Sequence, residues 1–261
     1  MDHPLDGCRA KLDRASQHFD AIGADFEELT AANVSPVELV SGHVIDDQFG
    51  PMNVVRCGRI LHELKMEWGI IVGDAMHNIR SALDHLVCRL IDLDGGQITR
   101  YTAFPIWDTD PRPDRRQIAR FERTIEGIGD VHKTAIRRLQ PYRNPGSPES
   151  AMLIALAALN NLDKHQVILP RYVVFSSVED ISTFFVTATP DRVDYKLNLG
   201  AVLAPGTEIV RFRTHSGQPA QVNLHMAIRT AFGDPRNSVS ELRRIRAHCV
   251  GIVESFAPAF G

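Results

Sequence analysis

A long amphipathic helix is predicted between Glu67 and Leu93, and it constrains the fold more than any other segment. At about 100° per residue, its apolar side chains fall into one sector and its polar side chains into another. The apolar sector contains Ile71, Ala75, Ile79, Ala82, Leu83, Leu86, Val87 and Leu90. The polar sector contains Glu67, Asp74, His77, Asn78, Ser81, Asp84 and His85, with Arg80 at its margin. Because this sector has few of the Lys and Glu residues of an ordinary solvated face, it indicates a functional or structural polar cluster.

The other helices are predicted from the same periodicity. Residues 6–33 carry apolar side chains at alternating spacings of four and three, which put one seam along an amphipathic helix. The segment 113–140 is predicted to form two short helices, 113–126 and 129–140, broken at Gly127 and Gly129. Further helices are predicted at 151–165 and at 238–257. The helix at 151–165 is apolar all round at its start and must therefore be buried there. Its last turn presents a polar group of residues: Asn160, Asn161, Asp163, Lys164 and His165.

Two regions are predicted to be strands. Residues 36–64 form an antiparallel hairpin of Val- and Ile-rich runs, with Gly50 and Pro51 as turn residues. Residues 171–231 contain five strand-like runs and predict four or five antiparallel strands. The resulting class is α+β, with a helical bundle packed on an antiparallel β-sheet in a single domain, 1–261. A division into a helical and a β domain near residue 168 is the alternative. In that case the chain would have to return from the β domain to the helical domain to form the C-terminal helix.

The overall charge gives no argument for a nucleic acid or membrane partner, so any such partner would have to bind a local patch. The net charge is -3, and the 29 basic residues are 24 Arg and 5 Lys, so the whole chain offers no strong attraction for nucleic acid or membrane. A local basic segment lies between Arg112 and Arg143, and it contains nine Arg or Lys residues but only four Asp or Glu residues. The longest apolar run is far shorter than a membrane span, and the charged N-terminal segment predicts no signal sequence. We therefore expect a cytoplasmic protein without a membrane partner.

Metal and cofactor sites are not predicted. The four cysteines are far apart and form no C-x-x-C pair, so neither a disulfide framework nor a zinc ribbon is indicated. Nitrogen and oxygen ligands are available, but H-E-x-x-H and paired Glu-x-x-His motifs are absent. No G-x-S-x-G elbow marks a nucleophile.

The spacing Arg80-x4-His85 resembles the signature of HEPN-type ribonucleases, which are helical proteins common in bacterial defence and toxin systems. This resemblance implies metal-independent cleavage of RNA. His85 would move a proton on or off the 2′-hydroxyl group while Arg80 holds the phosphate. His77, Asp84 and His165 would support them. The chain departs from the signature at Ser81, where that family usually has Asn, Asp or His.

Longer motifs resemble a group of bacterial proteins of uncharacterised activity. These motifs are G-D-A-M-H-N-I-R-S-A-L-D-H-L (residues 73–86), F-P-I (104–106), L-Q-P-Y (139–142) and L-D-K-H (162–165). They are more specific than Arg-x4-His, but the resemblance implies membership of a group and no mechanism.

A non-enzymatic module is the competing hypothesis, and RNA or another protein is the candidate partner. Its binding residues would be Asp74, Asn78, Ser81, Asn161, Asp163 and Lys164. The same polar residues could instead form an internal network in which Asp84 pairs with Arg80, and Asp163 pairs with His77 or His85. All versions require the segments near residues 80 and 163 to lie side by side. The sequence does not fix the oligomeric state.

Overall fold

A computed structural model describes residues 3–30, 35–174, 185–188, 193–214, 222–225 and 228–261. The helices in these ranges are α1 (Asp6–Thr30), α2 (Met66–Leu93), α3 (Arg115–Thr124), α4 (Asp130–Arg138), α5 (Pro148–Asp163) and α6 (Val239–Ser255). The strands are β1 (Val37–Asp46), β2 (Gly50–Ile60), β3 (Pro170–Val174), β4 (Phe185–Ala188), β5 (Val193–Leu197), β6 (Glu208–Thr214), β7 (Val222–His225) and β8 (Ile228–Phe232). Short 3-10 helices span Pro141–Arg143 and Ala257–Phe260. The predicted α+β class is confirmed.

The chain divides into two compact units. The helical unit comprises Met1–Ile22, Ile70–Ile168 and Ser240–Gly261, and the β unit comprises Gly23–Gly69 and Leu169–Val239. One limit between them falls at the boundary near residue 168 that the sequence offered as the alternative. The single domain stays a prediction. No helix in the described ranges is both long enough and apolar enough to cross a membrane.

The core of the helical unit follows the predicted apolar stripes. In α2, the side chains of the predicted stripe from Ala75 to Leu90 are all fully buried, and only Ile71 is half-buried. In α1, Cys8, Leu12, Ala15, Phe19 and Ile22 are at most 1 % exposed. Helix α6 lies along α1, because Arg246 Nε donates to the carbonyl oxygen of Leu12 at 2.6 Å. Periodicity alone therefore located most of this core.

The end of α2 is joined to the start of α4. The Asp94 carboxylate accepts a hydrogen bond from Gly129 N at 2.7 Å and lies 2.8 Å from His132 Nδ1. Partial burial opposes the charged form of Asp94, but these hydrogen bonds outweigh it and lower the pKa of Asp94. The backbones meet here as well, since a Cβ atom at Gly96 would lie 2.4 Å from the carbonyl oxygen of Gly127.

The β unit contains the predicted hairpin. Strands β1 and β2 pair antiparallel, and the four-stranded sheet has the order β1-β2-β6-β5. Strands β3 and β8 form a second sheet, and β4 and β7 a third. Side chains from the first two sheets share one core, which includes Val37, Val55, Tyr172 and Ile209, and Phe26 of α1 packs against it. The antiparallel pairing that the sequence predicted is confirmed.

Several predicted boundaries were wrong. Helix α5 begins at Pro148 rather than 151, because the Ser147 hydroxyl accepts a hydrogen bond from Ser150 N at 3.1 Å and proline suits the first helical position. The two helices predicted within 113–140 are present, but they span Arg115–Thr124 and Asp130–Arg138, and the first follows its cap residue Asp114. The hairpin strand ends at Ile60 rather than 64, and its turn precedes Gly50, which has φ +73°.

The predicted ends of other elements differ by smaller amounts. The helix predicted at 67–93 begins one residue earlier, and that predicted at 238–257 spans Val239–Ser255. The region 171–231 contains six described strands from β3 to β8 rather than four or five, since its last predicted run is divided between β7 and β8. Residues 31–33 of the first predicted helix, and residues 175–184 of the strand region, lie outside the described residues.

Candidate functional site

Arg80 and Asp84 hold the loop that follows α2. Arg80 Nη2 donates to the carbonyl oxygen of Phe104 at 2.6 Å, and Asp84 Oδ1 accepts from Phe104 N at 2.8 Å. The two side chains also form an ion pair at 2.9 Å, and they are 18 % and 33 % exposed. Both peptide groups of Phe104 are thus bound by one turn of α2. The predicted pairing of Asp84 with Arg80 is present. The same two side chains also hold the loop at Phe104.

The fixed loop forms one wall of a cavity of about 410 Å³, which we call the Arg80 cavity. The remaining walls come from α3 and α5. The residues that line it are Arg80, residues 103–108, Gln117, Arg120, Thr124, Ala157, Asn160, Asn161 and Lys164. The segments near residues 80 and 163 therefore meet at this cavity through Arg80, Asn161 and Lys164.

Two aromatic residues line this cavity, the fully buried Phe104 and the half-buried Trp107, and the position of Trp107 is fixed through its backbone. Trp107 N donates to Gln140 Oε1 at 3.1 Å, and its carbonyl oxygen accepts from Tyr142 N at 3.1 Å. Its ring contacts Phe121 edge to face, with 5.9 Å between centroids, and the guanidinium of Arg120 lies 5.9 Å from its ring centre. The half-buried ring is therefore held in place at the cavity wall.

Positive charge predominates in the Arg80 cavity. Three cations line it, from Arg80, Arg120 and Lys164, against the single carboxylate of Asp108. Arg80 is paired with Asp84, whereas Arg120 and Lys164 form no ion pair with any residue that the structure describes. The cavity is consequently suited to a negatively charged group.

Asn160 is a buried polar residue at this cavity. Its side chain is 6 % exposed, and within the described part of the chain its amide has no hydrogen-bond partner. The amide atoms are not sealed from solvent, since the buried side-chain atoms without a partner among the described residues are those of Tyr172 and Thr230. A ligand in the cavity would supply that partner. Asn160 was not among the predicted binding residues. A polar residue directly after the apolar run of a buried helix could have indicated it.

The remaining predicted residues lie in different environments. Asn161 and Lys164 are exposed and line the Arg80 cavity. Asp74, His77, His85 and His165 are exposed, and Asn78, Ser81 and Asp163 are half-buried, but none of these lines that cavity. Asn78 Nδ2 donates to the carbonyl oxygen of Asp74 at 2.8 Å, which is a local helix contact.

Asp163 contacts α2 at a glycine. A Cβ atom at Gly73 would lie only 2.0 Å from Asp163 Oδ1, so the carboxylate occupies the space that a side chain at position 73 would fill. This contact joins the two sequence motifs that begin at Gly73 and at Leu162. The predicted pairing of Asp163 with His77 or His85 is absent from the contacts of the described residues.

His85 is exposed and lies apart from the lining of the Arg80 cavity. Partial burial lowers the pKa of His85, and the charges of Lys11 and Arg89 lower it further, while Asp84 opposes them. This shift favours the neutral imidazole. Five residues along a helix correspond to a rotation of about 140°, which separates the directions of Arg80 and His85.

No group of three or more His, Cys, Asp or Glu within the described ranges is arranged to hold a metal ion. The charged side chains of the Arg80 cavity are three cations and one carboxylate, a set that favours an anion over a metal ion. No family model, curated protein or solved structure matches this chain, so the chemistry of the cavity itself supplies the functional argument.

Proposed function

We propose that the Arg80 cavity binds a ligand that carries a phosphate group, with a nucleotide as the simplest candidate. The observation that carries this proposal is the excess of cations around the unpartnered amide of Asn160. Arg80 and Arg120 have planar guanidinium groups that match phosphate oxygens, and Lys164 adds a flexible ammonium group. The volume of about 410 Å³ lies within the range of small-molecule sites.

The other side chains suit the remainder of a nucleotide. The ring of Trp107 offers a face for stacking of a base, as aromatic side chains do in single-strand recognition. The amides of Asn160 and Gln117 carry donors and acceptors that can pair with a base edge. The proposed roles are therefore phosphate binding for Arg80, Arg120 and Lys164, and base recognition for Trp107 and Asn160.

Titration calorimetry with uridine monophosphate at low salt tests this proposal. The double variant Arg120→Gln/Lys164→Gln is expected to weaken binding by about tenfold or more, because a hydrogen bond to a charged group contributes about 1.5–3 kcal/mol. The control variant Arg115→Gln/Lys133→Gln removes the same charges from the neighbouring helices at positions outside the cavity lining. Equal loss of affinity in both variants, or no binding by the wild type, would contradict the proposal.

Cleavage of RNA is a second candidate function. The imidazole of His85 is exposed and its lowered pKa favours the neutral form, which suits a general base, while Arg80 would hold the phosphate. The proposal requires that an RNA chain reaching the cavity also passes His85, with His77, Asp84 and His165 in supporting positions.

His85→Ala is expected to lower the rate of cleavage of a fluorescent RNA by about 10²-fold or more, measured with chelator present. His43→Ala removes an exposed histidine from strand β1 and should cleave at the wild-type rate. Absence of cleavage by the wild type, or a rate unchanged in His85→Ala, excludes this candidate and leaves phosphate binding as the function.

A further inference from the structure

A second basic cavity lies in the segment that the sequence identified as rich in arginine. Its volume is about 460 Å³, and α3, α4 and the 3-10 helix Pro141–Arg143 contribute to its walls. We call it the Arg138 cavity. Its charged lining consists of one carboxylate, Glu122, and four guanidinium groups, those of Arg112, Arg137, Arg138 and Arg143.

Two of these four cations are already paired. Arg137 Nη2 donates to both carboxylate oxygens of Glu122, at 2.9 and 2.7 Å, and Arg112 Nε donates to Asp110 Oδ2 at 2.8 Å. Arg138 and Arg143 are exposed and form no ion pair within the described ranges. They are therefore the guanidinium groups of this cavity that an external anion would meet first.

The two cavities share a wall. Helix α3 contributes Arg120 to the Arg80 cavity and Phe121 to the Arg138 cavity. The ring of Phe121 contacts Trp107, which lines the Arg80 cavity, and Tyr142 of the Arg138 cavity donates its backbone N–H to the carbonyl oxygen of Trp107 at 3.1 Å. The partition between the cavities thus includes the contacting rings of Trp107 and Phe121, with basic groups on both sides of it.

We infer that a single strand of nucleic acid crosses this partition, with phosphates in both cavities and a base against the ring of Trp107. The inference rests on the proposed function and adds the Arg138 cavity as a second site for the same strand. Arginine forks bind phosphate oxygens in pairs, and a repeating phosphate backbone is the ligand that fills two adjacent basic sites at once.

A single strand suits this geometry better than a duplex or an acidic peptide. Bases of a duplex are stacked and paired, so they cannot present a free face to the ring of Trp107. A peptide of glutamates would satisfy the cations but has no aromatic group to stack on the Trp107 ring. Charged grooves that contain an aromatic side chain are typical of single-strand binding.

Fluorescence anisotropy with a labelled oligouridylate and a labelled oligothymidylate, each of about 12 nucleotides, tests the inference. Arg138→Gln/Arg143→Gln is expected to weaken binding of at least one strand by about tenfold and to make its salt dependence shallower by about 1.4 in the logarithmic slope. Its affinity for uridine monophosphate should stay within about twofold of the wild type, because the mononucleotide occupies only the Arg80 cavity. Tighter binding of the ribonucleotide strand would identify RNA as the ligand.

The matched control is Arg115→Gln/Arg116→Gln, which removes two exposed cations from the first turn of α3 outside both linings. Oligonucleotide binding by Arg138→Gln/Arg143→Gln that equals this control would overturn the inference while leaving the mononucleotide result intact. Equal affinity for a duplex of the same length, or for polyglutamate, would also overturn it. If Arg120→Gln/Lys164→Gln binds uridine monophosphate as tightly as the wild type, that result would instead count against the proposed function.

Discussion

Phe104→Ala is expected to lower the free energy of unfolding by about 3–5 kcal/mol, the usual range for truncation of a buried aromatic side chain. The side chain of Phe104 is fully buried, and the Arg80 and Asp84 side chains fix its backbone. Since its peptide group is held, the loop cannot collapse freely into the space that the ring leaves. Urea denaturation followed by circular dichroism measures the loss.

Phe104→Leu is the control, because it retains most of the apolar volume and should cost roughly 1 kcal/mol. A loss below about 1 kcal/mol in Phe104→Ala would show that the ring does not contribute to the core as its burial indicates.

Gly96→Ala is expected to destabilise the protein by about 3 kcal/mol. The added Cβ atom would lie 2.4 Å from the carbonyl oxygen of Gly127 and 2.7 Å from its Cα atom. Backbone atoms cannot rotate aside as a side chain can. Gly127 also has φ +86°, a conformation that the surrounding chain must keep. Thermal and urea unfolding should both show the change.

Gly251→Ala provides a control of opposite sign. Gly251 lies inside α6, and nothing within 4 Å meets an added Cβ atom there. Alanine should therefore stabilise the helix by about 0.5–1 kcal/mol. If Gly96→Ala shifts stability in the same direction as Gly251→Ala, the close approach between Gly96 and Gly127 is wrong.

The sequence predicted the features that repeat along one element. The stripe from Ala75 to Leu90 follows the period of α2, and the seam from Cys8 to Ile22 follows that of α1. Such patterns are visible because each helix must bury one face whatever it packs against. The hairpin of β1 and β2 was visible for the corresponding reason, with a period of two.

Contacts between distant segments could not be predicted in the same way. The hydrogen bonds from Arg80 and Asp84 end on the backbone of Phe104, and any residue type could stand there. The space beside Gly73 is filled by Asp163, and the space beside Gly96 by Gly127. In each case the sequence contains a glycine or a charged residue, but it does not reveal which distant residue contacts it. That contact depends on the path of a loop or on how two helices approach each other.

Only part of the candidate site was predicted, because its residues come from several distant segments. The polar face of α2 and the last turn of α5 were identified from their composition, and Arg80, Asn161 and Lys164 do line one cavity. Arg120 and Trp107 were missed, because they belong to α3 and to the loop before it. Their convergence required the tertiary fold.

The bonds between Arg80 and the Phe104 loop also determine how much entropy a ligand must remove. A free arginine or lysine side chain loses about 2 kcal/mol of rotamer entropy when it becomes fixed. Folding has already fixed Arg80 through Phe104 and Asp84, whereas Lys164 is exposed and unpaired among the described residues. Arg80 is thus the preorganised cation of the cavity, and an incoming anion has to immobilise Lys164 but not Arg80.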